Sequence, residues 1–75
     1  MTILERTQAT VGRFIRMMDA TSHKEVKHNI MYMAYGAVEL ADDLLWDAHE
    51  HEQRKQLETW WEEVKSSLED MVWGA

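Results

Sequence analysis

The chain of 75 residues contains no cysteine and no proline, and only three glycines. Without cysteine there is no disulfide, no thiolate metal site and no thiol nucleophile. Gly12, Gly36 and Gly74 stand isolated, so there is no glycine-rich loop to cradle a phosphate. The longest apolar run, Ile30 to Val38, is interrupted by Gly36 and falls short of the ~18 residues of a membrane span. The opening residues Met1-Thr2-Ile3-Leu4-Glu5-Arg6 lack the basic and apolar regions of a secretion signal. Together with the missing cysteine, this sets the expectation of a cytoplasmic protein. Basic residues are also few: 8 Lys and Arg stand against 14 Asp and Glu, a formal charge of −6. That balance disfavours non-specific binding to nucleic acid or to an anionic membrane surface.

What is present is a folded composition, 45% hydrophobic and 29% charged, with six methionines and four tryptophans. The length allows a single domain, residues 1–75, near the lower limit for a self-sufficient core. With no covalent staple, stability rests on packing, within the chain or against a partner. The charge is graded. Residues 1–20 set Arg6, Arg13 and Arg16 against Glu5 and Asp19, a net of +1. Residues 47–75 set Arg54, Lys55 and Lys65 against eight acids, a net of −5. A basic first segment and an acidic last one attract each other, within one chain or between two.

Helix signals run from end to end. Thr2-Ile3-Leu4-Glu5 and Ser22-His23-Lys24-Glu25 have the capping-box form, and Asp47-Ala48-His49-Glu50 is a looser version. Three starts predict an all-α fold, a small three-helix bundle with helices at about 3–19, 23–46 and 48–73. The polar stretch Asp19-Ala20-Thr21-Ser22 marks the first break. The second break carries neither glycine nor proline, so a long helical hairpin with one bent helix through 23–73 is the alternative. Gly74 is a helix stop.

In the first segment Leu4, Val11, Phe14, Ile15 and Met18 share a face, with Thr7 in the missing position. The second segment carries two neighbouring seams. Val26, Ile30, Met33, Ala37, Leu40 and Leu44 form one; Met31, Ala34, Val38, Ala41, Leu45 and Ala48 form the other. At ~100° per residue, the two seams span about 200°, which predicts a central helix with two neighbours. The third segment presents Leu57, Trp61, Val64, Leu68 and Met71, widened by Trp60 and Val72. Tyr32, Tyr35, Trp46, Trp60 and Trp73 exceed what a three-helix core of this size holds. Each large side chain gains ~1.5–3 kcal/mol on burial, which favours association and predicts a homodimer. Gly36, one turn from Tyr32, marks a candidate close helix crossing.

Candidate chemistry is sparse. Glu39, Asp43, Asp47 and His51 are spaced four apart and form a ladder on a continuous helix, a candidate divalent-metal site with Asp42 and His49 beside it. Glu25-Val26-Lys27-His28 has the Glu-x-x-His spacing of di-iron bundles, but only one such motif exists, and an exposed His28 accounts for it. Residues 22–29, with Ser22, Lys24, Lys27, His28 and Asn29 after a turn, suggest a DNA-reading helix start. The apolar helix behind them argues against it. No nucleophile and base are evident, and no cofactor is implied, so the chain is expected not to be an enzyme. The expectation that remains is a small acidic helical protein that binds or regulates another protein, as a bacterial or phage-encoded accessory protein or an inhibitor of a basic nucleic-acid-binding surface does. Met, Trp and Tyr patches are the anchors (Tyr32, Tyr35, Trp46, Trp60 and Trp73), and Glu62 and Glu63 of the acidic third helix provide orientation.

Overall fold

The Thr2 hydroxyl accepts from the Glu5 backbone N–H at 3.1 Å, and the Glu5 carboxylate accepts from the Thr2 backbone N–H at 3.0 Å. This reciprocal box satisfies two donors that an open helix end leaves bare. In the computed structural model, which describes residues 1–74, it starts α1, Ile3–Asp19. Two further helices follow, α2 over Lys24–Asp47 and α3 over His51–Trp73. The fold is the three-helix bundle anticipated from the sequence, 40 × 19 × 16 Å in extent. None of the helices is long and apolar enough to cross a membrane among the described residues.

The other two capping boxes do not form. His23 is still extended (φ −80°, ψ 116°), so α2 begins one residue late and Ser22 lies too far from its first turn to cap it. Instead the Thr21 hydroxyl accepts from the His23 N–H at 3.2 Å. Asp47 belongs to the last turn of α2 rather than to the start of α3, whose N-cap position is Glu50. The alternative of one bent helix through 23–73 is also excluded. The chain leaves α2 at His49, the only non-glycine residue with positive φ (58°) among those described. The Glu50 N–H donates to Leu45 O at 2.9 Å and the His49 N–H to Trp46 O at 3.1 Å. These are the two closing bonds of a Schellman motif, with histidine in the position that glycine usually fills. At the far end Gly74 stops α3, its N–H bonded to Asp70 O at 2.8 Å.

The core follows the sequence pattern with one division. Leu4, Val11 and Met18 of α1 meet Met31, Ala34, Val38, Ala41 and Leu45 of α2 and Leu57, Leu68 and Val72 of α3. Thr7 is buried among them, its hydroxyl donating to Ile3 O at 2.7 Å. Of the two α2 seams, the one through Met31 to Leu45 is the core, except for its last member, the exposed Ala48. The other contributes only Ile30 to the core; Val26, Met33, Leu40 and Leu44 are exposed. Both α1 and α3 pack chiefly on α2 and touch each other less. Met18 and Met31 are core filler, whereas Met17 and Met33 are exposed. Gly36 marks no helix crossing: a methyl group there would meet nothing within 4 Å.

Candidate functional site

Antiparallel packing of α2 and α3 brings the start of α2 beside the end of α3. An aromatic ladder results. Trp73 meets His28 edge-on at 5.4 Å between ring centroids, and His28 stacks on Tyr32 at 4.8 Å. Tyr32 meets Tyr35 edge-on at 5.8 Å, and Tyr35 meets Trp61 edge-on at 5.7 Å. Edge-to-face and offset contacts of this kind suit the charge distribution of aromatic rings. The Lys65 ammonium lies 5.6 Å from the Tyr35 ring centre, within cation–π range. Tyr32 is 56% exposed and Trp73 55%, so the ladder presents two rings to solvent, one at its end and one at its middle. Beneath them Tyr35 and Trp61 are half-buried against the core.

The ladder leads into a groove of about 500 Å³ between α2 and α3. Val38 and Leu57 belong to its lining, with Glu39, Glu58 and Lys65 among the charged walls. At the turn end the groove is closed by Arg54, which holds Asp42 with both arms, Nε to Oδ1 at 2.9 Å and Nη2 to Oδ2 at 3.2 Å. The Arg54 guanidinium also sits 4.7 Å from the Trp46 ring centre. Its hydrogen bond to the Asp42 carboxylate raises the affinity of Arg54 for its proton. Burial pushes the Tyr35 phenol above its ordinary range, and the Glu69 carboxylate adds to the shift.

The anticipated anchors are therefore not one surface. Tyr32, Tyr35 and Trp73 come together in the ladder, and Trp46 lies at the turn end of the same side. Trp60 touches Trp61 at 6.1 Å but lines a separate shallow depression on α3 with Lys55, Thr59 and Glu63. Glu62 lies on α3 beside Lys65, Glu69 and Asp70. Two ladder members were not among the predicted anchors. His28 is half-buried rather than exposed, and Trp61 was read as core only. For His28 the sequence carries a signal, since residues 28, 32 and 35 are one row of α2 at spacings of four and three; for Trp61 it carries none.

The metal ladder is broken. Its spacing requires one continuous helix, but the reversal at 48–50 leaves Glu39, Asp43 and Asp47 on α2 and moves His51 to the start of α3. Asp42 is committed to Arg54, and no group of three metal-ligating side chains assembles among the described residues. Of the candidate DNA-reading segment, Ser22, Lys24 and Asn29 are exposed, and Lys27 and His28 are half-buried. Residues 24–29 open the central helix, and the His28 ring is packed between Tyr32 and Trp73. Compared with protein-family models, curated proteins and solved structures, the chain finds no match in any of the three.

Proposed function

We propose that this chain is a small binding protein, not a catalyst, that self-associates and docks on a protein partner through the aromatic ladder of α2 and α3. The observation that carries this reading is the ladder itself, five rings in contact, of which Trp73 at one end and Tyr32 in the middle are exposed. Exposed aromatics held by half-buried ones are rigid, and little side-chain freedom is lost when a partner covers them. The acids around the ladder specify the partner's charge. Glu39 and Glu58 line the adjoining groove, and Glu69 lies close enough to influence Tyr35. A basic protein surface with an apolar pocket suits this arrangement, and the charge mainly accelerates and orients the encounter.

The test is capture from native extract on the immobilised chain, in parallel with a Tyr32→Ala/Trp73→Ala double variant. The expected result is a basic protein retained by the parent, released by salt and not retained by the variant. Equal retention by both forms, or retention of nothing, would falsify the reading.

A further inference from the structure

The α2 seam that gives the core only Ile30 is a second apolar feature of the surface. Leu40 is 61% exposed, Met33 51%, Leu44 46% and Val26 43%. These residues recur on one row of α2, separate from the aromatic ladder. With Ile3 and Ala37, Leu40 and Leu44 line a groove of about 320 Å³ between α1 and α2. A continuous aliphatic row on so small a chain favours burial against another surface.

The charges at the edges of this face indicate what covers it. Arg6 lies on the α1 edge of the groove. Asp43 and Asp47 lie on the α2 edge, one row beyond Leu40 and Leu44 on the helix surface away from α1. Among the described residues neither Arg6 nor these two acids has an ion-pair partner. Because α1 and α2 run antiparallel, Arg6 is level with Leu40 and Leu44 of its own chain. One edge is basic and the other acidic at the same height, so the face is complementary to itself.

We propose that this face binds a second copy of the chain about a two-fold axis parallel to the helices. The proposal rests on the self-association stated above and assigns its surface and geometry. Rotation about that axis lays α1 of each copy over α2 of the other and keeps heights unchanged. Arg6 then meets Asp43 and Asp47 of the second copy, twice, while the two Leu40–Leu44 rows close on each other. A two-fold axis across the helices would instead set basic edge on basic edge and acid on acid, which like-charge repulsion opposes. The product is a six-helix dimer that leaves both aromatic ladders free on its outer sides.

Sedimentation and light scattering of the full chain across concentration test this. Dimer is expected at micromolar concentration. Leu40→Glu places a charge in the closed row and weakens dimerisation more than about tenfold. Its helix content is unchanged, because Leu40 contributes nothing to the core. Arg6→Glu weakens dimerisation, and the swap Arg6→Glu/Asp43→Arg/Asp47→Arg restores it. A chain that stays monomeric up to about 100 µM, a concentration at which even weak specific dimers form, overturns self-association and this assignment together. A dimer that survives Leu40→Glu but dissociates in Tyr32→Ala overturns the face and not the association. A dimer weakened by Leu40→Glu that the charge swap does not restore overturns the axis.

Discussion

Single residues carry two quantitative consequences. Gly36 lies mid-helix and exposed, with open space where a side chain would stand. It therefore costs α2 helix propensity without a packing return. Gly36→Ala is expected to stabilise the fold by about 0.5–1 kcal/mol, measured by urea denaturation at low protein concentration. Tyr35 gives a pH dependence. Its phenol titrates above the ordinary value of 10.0 in the folded chain, chiefly through partial burial, with Glu69 and Tyr32 adding to the shift. Above about pH 10 the unfolded chain loses this proton while the folded chain still holds it. The stability contributed by the neutral phenol is thus complete below pH 10 and is lost as pH rises through the folded value. Tyr35→Phe is expected to flatten this alkaline decline in denaturation midpoints.

Elements show where sequence was sufficient and where it was not. The Thr2–Glu5 box and the Met31-Ala34-Val38-Ala41-Leu45 seam were legible because both are local spacings that the fold left undisturbed. The Ser22 and Asp47 boxes matched the same pattern and failed. Helix starts also depend on where the chain must turn to bring its seams together, and no local pattern encodes that. The α2–α3 reversal was legible only as a weak point, since its left-handed residue is histidine rather than glycine. That choice has a cost of about 1 kcal/mol, the steric penalty of a side chain in the left-handed region. His49→Gly relieves it, less the extra freedom glycine gives the unfolded chain, for a net gain of about 0.5 kcal/mol. His49→Val is expected to lose more than about 1 kcal/mol, because a branched side chain tolerates that backbone worst. Thermal melts of the pair distinguish a strained stop from an indifferent loop. The ladder was half legible for a related reason. Its α2 rings share a sequence row, but Trp61 and Trp73 join them only through antiparallel packing.

At the scale of the molecule, α2 is the spine on which the other two helices lean. Leu45, fully buried near its end, touches the core that both neighbours share. Leu45→Ala is expected to destabilise the fold by about 2–4 kcal/mol, a large share of what a chain this short has in reserve. Circular dichroism melts at fixed concentration measure it. The thin contact between α1 and α3 has a consequence in time rather than in energy alone. Either outer helix can lift from the spine by giving up only a small contact with the other, whereas α2 cannot be uncovered until both have gone. Backbone amides of α1 and α3 therefore exchange with solvent deuterium through separate partial openings. Those in the middle of α2 exchange last, at the rate of whole-chain opening.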